Sequence, residues 1–332
     1  MTIESRDTRP KLLLVDDEPV NLQVLKQILQ QDYRLLFARD GEKALSLAES
    51  EQPQLILLDI MMPGITGLET CKQLKQNSRT RHIPVIFITA LAETRDETEG
   101  FNVGCVDYIT KPVSPAIVLA RVKTQLSLVS MESLRETRLQ VIHRLGRAAE
   151  YKDNETGLHV IRMSHYAKLI ALAAGMNEID ADELLNAAPM HDIGKIGIPD
   201  VILQKPGKLT PEEWDIMKTH TSVGASIIGD DNSSLLKVAH AIALYHHEKW
   251  DGSGYPTGLA GEAIPIEARI VAIADVFDAL TSVRPYKTAW TIEAARDYIA
   301  QESGKHFDPD LVSAFMSVLP EIIKIREKML DD

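Results

Sequence analysis

Along the first 130 residues, short aliphatic runs alternate with stretches whose apolar positions recur every three or four residues. KLLLV (11–15), YRLLFA (33–38), QLILL (54–58), IPVIFI (83–88) and VDYI (106–109) predict strands. Three of these runs are apolar almost throughout, as strands covered on both faces are. Amphipathic stretches at 19–31, 41–50, 66–77 and 93–102 predict helices between them. Alternation with short connections predicts an α/β, doubly wound, parallel five-stranded sheet over residues 10–130, preceded by a polar tail at 1–9. In such sheets, chemistry gathers at the carboxyl ends of the strands.

A helical stretch with few breakers follows from 114 to 150. Leu119, Val122, Leu126 and Val129 keep a 3-4-3 spacing, and Met131, Leu134, Val141 and Leu145 resume it after a phase slip. Two readings fit that pattern: a coiled-coil seam joining two chains in a homodimer, or an amphipathic helix packed on its own domain. Beyond residue 150 the strand signals vanish. Helical patterns at 157–174, 180–192, 211–228, 233–248, 265–282, 291–302 and 309–328 predict an all-α domain over 140–332. Gly and Pro mark its breaks at 205–209, 250–261 and 284–286.

Composition narrows the class. The 332 residues are 45% hydrophobic and 25% charged, as in globular proteins. No uncharged apolar run reaches membrane-spanning length, the N-terminus lacks a signal-peptide core, and Cys71 and Cys105 cannot build a disulfide framework. These features predict a cytoplasmic protein with reduced thiols. The net charge of −12 provides no basic field for DNA. Residues 1–132 carry 15 basic and 18 acidic side chains, and residues 133–332 carry 21 and 30. Nine of the ten histidines lie after residue 140, so the acidic second half points to metal.

In the first half, Asp16 and Asp17 end the first predicted strand, Asp59 the third and Thr89 the fourth, and Lys111 follows the fifth. Carboxylates packed together repel unless a cation joins them, and hard oxygen ligands favour Mg²⁺. A lysine and a hydroxyl alongside would stabilise a phosphoryl group on an aspartate. KLLLVDDEP, LILLDIMMPGITGLE, VIFITA and YITKP resemble the receiver domain of two-component response regulators, which is flavodoxin-like. The resemblance implies that Asp59 accepts phosphate from a histidine kinase. It also implies that Asp17, Asp59, the Met61 carbonyl and, through water, Asp16 hold Mg²⁺. Lys111 would contact the phosphate, and Thr89 and Tyr108 would relay its presence.

In the second half, Glu155, His159, His191, Asp192, His220, His246, His247 and Asp275 stand out. Adjacent pairs such as His191–Asp192 and His246–His247 chelate a single ion poorly. They are easier to satisfy if two or more metals sit together and Asp192 bridges them. Mixed N/O ligation suits Fe, Mn, Ni, Co or Zn. Such multi-metal sites serve phosphoester hydrolysis. Lys195 beyond His191, and Arg284 and Lys287 beyond Asp275, could meet phosphates. His143, His165, His240 and His306 lack pairing and carboxylate company and are read as structural.

HDIGKIGIPD, KTHTSVGA, HHEKWDGSGYP, IADVFDAL and RPYK together resemble the HD-GYP metal-dependent phosphohydrolases over about residues 140–325. That resemblance implies hydrolysis of cyclic di-GMP to linear pGpG and on to GMP. It implies a shared ligand set of His159, His191, Asp192 and Asp275, with His220, His246 and His247 for a second metal and Glu155 for a third. Iron is the first expectation. Catalysis would fall to His191, Asp192 and Lys195, and substrate contact to Lys195, Arg284, Lys287 and the Gly254, Tyr255 and Pro256 turn. The Gly254–Tyr255–Pro256 loop would lie beside the site, open to a diguanylate cyclase or adaptor. The alternatives are a catalytically silent cyclic di-GMP sensor or docking module, and an HD phosphohydrolase acting on another nucleotide.

Overall fold

The computed structural model describes residues 7–89, 102–152, 158–230, 232–282 and 289–329. By its contacts the chain divides into two units, Met1–Arg135 and Glu136–Asp332.

In the first unit, β1 (Lys11–Val15), β2 (Arg34–Ala38), β3 (Leu55–Asp59), β4 (Val85–Thr89) and β5 (Asp107–Thr110) form a parallel sheet ordered β2-β1-β3-β4-β5. This is the flavodoxin-like order, and its switch point lies between β1 and β3. Every residue of β3 and β4 is buried, because helices cover both faces. Leu13, Val15, Ile56, Leu58 and Phe87 fill one face, and Leu12, Leu14, Leu55, Leu57, Ile86 and Ile88 fill the other. The period-two alternation of the aliphatic runs therefore divides the core into two layers.

Helices α1 (Pro19–Leu29), α2 (Gly41–Glu51) and α3 (Gly67–Gln76) match the sequence expectation to within two residues at each end. The helix expected at 93–102 lies outside the described residues, Asn102 excepted. A reciprocal Thr66–Glu69 capping box starts α3. Gly67, its first residue, presses on the end of β3. A Cβ there would sit 2.1 Å from the carbonyl oxygen of Asp59 and 2.8 Å from the Cα of Ile60.

Helix α4 (Pro115–Lys152) crosses the sequence boundary between the units. Its Val118 and Val122 are buried in the first unit's core, with Leu119 and Leu126 packed beside them. That stretch of the predicted seam is thus an amphipathic face on its own domain. Met131, Leu134, Val141 and Leu145 are exposed, Met131 at 68%.

The second unit is helical, with one isolated bridge, Ser303–Phe307, among its described residues. Its helices are α5 (Leu158–Ala173), α6 (Glu178–Ala187), the single turn α7 (Asp200–Leu203), α8 (Pro211–Lys218), α9 (His220–Ile228), α10 (Ser234–Tyr245), α11 (Ile266–Thr281), α12 (Ile292–Gln301) and α13 (Pro309–Lys328). Tyr166, Ile170, Leu184, Ile242, Ile273, Phe277 and Phe315 anchor its core.

Three expected helices differ from the structure. The one expected to run to 192 stops at Ala187, and Pro189 enters a 3-10 turn, Ala188–Met190. A second 3-10 turn, Ile193–Gly197, follows the His191–Asp192 pair. The helix expected over 211–228 breaks at Thr219. There the backbone N–H and the hydroxyl of Thr219 both close on Ile216 O, the acceptor that a continuous helix would give to residue 220. The helix expected to reach 248 ends at Tyr245, leaving His246 and His247 beyond its last turn. No helix among the described residues is long and apolar enough to cross a membrane.

Because backbone atoms meet the missing Cβ of Gly67, Gly67→Ala should destabilise the first unit by about 1–3 kcal/mol, the usual cost of overpacking. Urea unfolding of the full chain measures it, and an unchanged midpoint for the receiver transition would contradict the close approach.

Candidate metal centres

The carboxyl ends of β1 and β3 bring Asp16, Asp17 and Asp59 together, with one oxygen of each within 4.8 Å of the others. Lys111, just past β5, reaches Asp16 Oδ2 at 2.9 Å and Asp59 Oδ2 at 3.0 Å. Asp16 is further held by Asn21 and by the backbone N–H of Glu18. Burial raises the carboxyl pKa of Asp59, against the pull of Lys111. Burial works against the Lys111 ammonium too, but its bonds to Asp16 and Asp59 outweigh that and raise its pKa. Thr89 is buried at the end of β4, and Tyr108 is half-buried on β5 with the Arg121 guanidinium 5.7 Å from its ring centroid. Met61 lies two residues past Asp59 with its side chain exposed. The fold therefore gathers Asp16, Asp17, Asp59 and Lys111 at one sheet edge.

In the second unit, seven of the eight candidate ligands fall into two groups: Asp192, His220, His246 and His247, and His159, His191 and Asp275. Glu155 lies outside the described residues, as do Arg284 and Lys287. Asp192 joins the groups. Its Oδ2 is 3.2 Å from His191 Nε2, while its Oδ1 is 3.3 Å from His220 Nε2 and 3.6 Å from His246 Nε2. On the other flank, His159 Nε2 is 3.4 Å from Asp275 Oδ1.

The local breaks in the helices create this convergence. His191 and Asp192 sit between two 3-10 turns, His220 opens α9 after the break at Thr219, and His246 and His247 follow the end of α10. Glycine permits the packing, since a Cβ on Gly194 would lie 1.8 Å from the carbonyl oxygen of His220.

Four imidazoles are oriented through Nδ1. His191 meets Ala188 O at 3.1 Å, His220 meets Met217 O at 2.8 Å, and His246 meets Ile242 O at 2.9 Å. His159 Nδ1 meets Asp278 Oδ2 at 2.7 Å. Each partner is an acceptor, which fixes the proton on Nδ1 and turns the Nε2 lone pair inward. Asp192 Oδ1, His220 Nε2 and His246 Nε2 are buried with no hydrogen-bond partner among the described residues. Buried polar atoms seldom go unpaired, and a divalent cation satisfies all three at once.

Charge follows geometry. Burial pushes His220 down to about 4 and His247 well below the usual imidazole range. Both are therefore neutral, as ligation requires. Burial opposes a charge on Asp192, but Lys195 and His191 beside it hold its carboxyl well below the carboxylate range. Lys195 Nζ lies 2.8 Å from Asp192 Oδ2. Burial likewise opposes a charge on Asp275, yet its place beside His159 holds its carboxyl below the usual carboxylate range. The donor set therefore fits divalent metal.

The Gly254–Tyr255–Pro256 loop folds back over the second group. Tyr255 stacks on His247, with centroids 4.8 Å apart and planes at 29°. Gly254 lies so close to the Glu248 and Lys249 backbone that a Cβ would sit 2.3 Å from Lys249 N. Buried Glu248 accepts from the Thr257 hydroxyl and from the N–H groups of Thr257 and Gly258, tying the loop to the histidine pair. His143, His165, His240 and His306 belong to neither ligand group.

Sequence reasoning passed over Asp278 and Arg162. Arg162 Nε and Nη2 donate to the two oxygens of Asp278 at 2.8 and 2.9 Å, and that carboxylate orients His159. A signal existed. Asp278 follows Asp275 by three residues on α11, and Arg162 follows His159 by three on α5, so each shares its ligand's helix face.

Comparison with known proteins agrees with both halves. A family model for the response regulator receiver domain matches residues 12–123, and one for the HD domain matches residues 132–311. A probable cyclic di-GMP phosphodiesterase from Vibrio cholerae is 42% identical over 97% of this chain and 80% of its own length. The cyclic di-GMP phosphodiesterase response regulator RpfG of Xanthomonas campestris is 39% identical over 94% of this chain and 89% of its own. A 3'3'-cGAMP-specific phosphodiesterase from Vibrio cholerae is 47% identical over 60% of this chain and 38% of its own length. With a flavodoxin-like sheet carrying the acidic triad and a helical unit carrying a divalent-metal donor set, the chain belongs to the two-component response regulators that join an N-terminal receiver domain to a C-terminal HD-GYP domain.

Proposed function

We propose that this response regulator hydrolyses cyclic di-GMP at the HD-GYP centre, under control of phosphorylation at Asp59. The observation that carries the reading is Asp192, whose two oxygens face separate histidine groups across one buried site. Two or three divalent ions held there, iron first, with manganese, nickel, cobalt or zinc as alternatives, would activate water and neutralise the phosphodiester. His159, His191 and Asp275 would hold one ion and His220, His246 and His247 a second, with Asp192 common to both and Glu155 serving a third. Lys195, beside Asp192, is the described cation best placed to meet a phosphate oxygen and steady the leaving group. Arg284 and Lys287 would grip the substrate's outer phosphates. Tyr255, packed on His247, walls the site against water. The product is linear pGpG, and GMP after a second cut.

In the receiver, the Asp59 carboxylate is the nucleophile toward a phosphoryl group from a histidine kinase. Asp17, Asp59, the Met61 carbonyl and, through water, Asp16 would hold Mg²⁺, and Lys111 would shift onto the phosphate. Thr89 and Tyr108 would follow that shift. The exposed Met131, Leu134, Val141 and Leu145 would pair two copies of α4 as a homodimer. The Gly254–Pro256 loop would receive a cyclase or adaptor, and the protein would act in the cytoplasm without DNA.

The direct test loads the protein anaerobically with Fe²⁺, Mn²⁺ or Ni²⁺ and offers cyclic di-GMP, 3'3'-cGAMP and a stringent-response nucleotide. Chromatography should show pGpG or GMP from the first. Binding without turnover would favour a sensor, and preference for another substrate would reassign the specificity. His191→Ala with Asp192→Ala should lower turnover at least about a hundredfold and lower metal content in parallel. Asp59→Asn should abolish phosphoryl uptake from acetyl phosphate, read by mobility-shift electrophoresis; undiminished uptake would move the acceptor elsewhere.

Acid should act through the buried imidazoles. His220 is neutral in the fold down to about pH 4 but protonates near 6.5 when unfolded. The unfolded chain therefore binds more protons between those values, so stability falls as pH drops from 6.5 toward 4. Chelator-treated protein should show a declining urea midpoint across that window. A flat midpoint between pH 7 and 5 would contradict the neutral histidine cluster.

A further inference from the structure

The last turns of α4 touch the catalytic segment on both sides of the His191–Asp192 pair. Before the pair, Gly146 lies against the Pro189 backbone, where a Cβ would sit 2.3 Å from Pro189 O. After it, the Lys152 ammonium donates to three main-chain oxygens of one turn: Ile198 O at 2.6 Å, Ile196 O at 2.8 Å and Lys195 O at 3.4 Å. It also lies 3.3 Å from Asp200 Oδ1. The grip is returned, since Gln204 donates through Nε2 to Lys152 O at 3.0 Å and so ties the end of α4 to α7's far side. An ammonium has three protons, and here three carbonyls and one carboxylate surround it.

The turn so held is the 3-10 segment Ile193–Gly197, which carries Lys195. Its other side is pressed onto α9, because Gly194 and Gly197 leave no room for a Cβ beside His220 O and Val223. It is therefore clamped between α9 and Lys152, and Lys195 reaches Asp192 from inside that clamp.

We propose that Lys152 is a positioning residue for the phosphodiesterase reaction: it fixes the 193–198 turn so that Lys195 stays registered on Asp192. This rests on the reading of the centre as a hydrolase. Among the described residues, Lys152 makes no hydrogen bond or ion pair to a candidate ligand side chain, so it acts on the turn through main-chain oxygens and Asp200. A displacement of about 1 Å at a reacting group can cost a hundredfold in rate.

The experiment compares wild type, Lys152→Met and Lys152→Arg as full-length, metal-loaded protein. It reads kcat and KM for cyclic di-GMP, metal content by plasma mass spectrometry, and amide hydrogen exchange over residues 193–198. Lys152→Met should lower kcat about tenfold to a hundredfold with KM changed less than threefold. Metal content should stay at the wild-type value, and exchange over 193–198 should rise at least tenfold. Lys152→Arg, which restores donors, should recover most of both. Unchanged kcat and exchange in Lys152→Met would overturn the proposal. So would a parallel loss of metal and thermal stability, which would make the lysine merely structural. Should wild type fail to turn over cyclic di-GMP, the hydrolase reading falls, while the exchange comparison still decides whether Lys152 holds the turn.

Discussion

Asp192 carries a negative charge in a position almost closed to water, facing His191 through one oxygen and His220 and His246 through the other. A buried carboxylate is costly unless positive charge compensates it. The Lys195 ammonium supplies part of that compensation, and divalent cations between carboxylate and imidazoles would supply the rest. The surrounding architecture serves this one requirement. Helices break at Ala187, Thr219 and Tyr245 so that side chains from three chain segments can point at one spot. Backbone carbonyls hold the imidazoles by Nδ1, leaving each Nε2 for the interior.

The receiver meets a similar electrostatic problem differently. Asp16, Asp17 and Asp59 lie on strand ends, where a twisted parallel sheet brings non-adjacent sequence segments side by side. Lys111 spans two of the three carboxylates, and its charge is what a phosphoryl group on Asp59 would redirect. One chain thus holds two acidic centres. The first offers oxygen donors alone and the second mixed nitrogen and oxygen donors, and each set fits a divalent cation. The overall charge of −12 need not keep an anionic dinucleotide away, because divalent cations held at these centres would reverse the local field.

Much of this was legible in the residues. Strand positions followed from aliphatic runs, because sterics and burial both act at period two. The acidic receiver positions followed from where those runs end. Of the seven described candidate ligands of the second half, four stood out by pairing, His191 with Asp192 and His246 with His247, and His159, His220 and Asp275 by the company of other histidines and carboxylates and by the family resemblance. What periodicity could not reveal was where helices stop. Pattern carried helices through 192 and 248, but Pro189 and the end of α10 place both pairs in irregular backbone. Local competition decided Thr219, whose hydroxyl takes a carbonyl the helix needed. Partners that act through another residue, such as Asp278, Arg162 and Lys152, were hidden because their contacts lie more than 40 residues apart in sequence. The 119–126 seam became a core face, while Met131, Leu134, Val141 and Leu145 kept the pattern and are exposed among the described residues.

The central claim is that Asp192 is shared between two metal positions. Anomalous diffraction from crystals grown with Mn²⁺ tests it most directly. The account predicts at least two peaks roughly 3.5–4 Å apart. One should be bound by His159, His191 and Asp275, the other by His220, His246 and His247, with an oxygen of Asp192 on each. A single peak, or two peaks with Asp192 coordinating neither or only one, would contradict it.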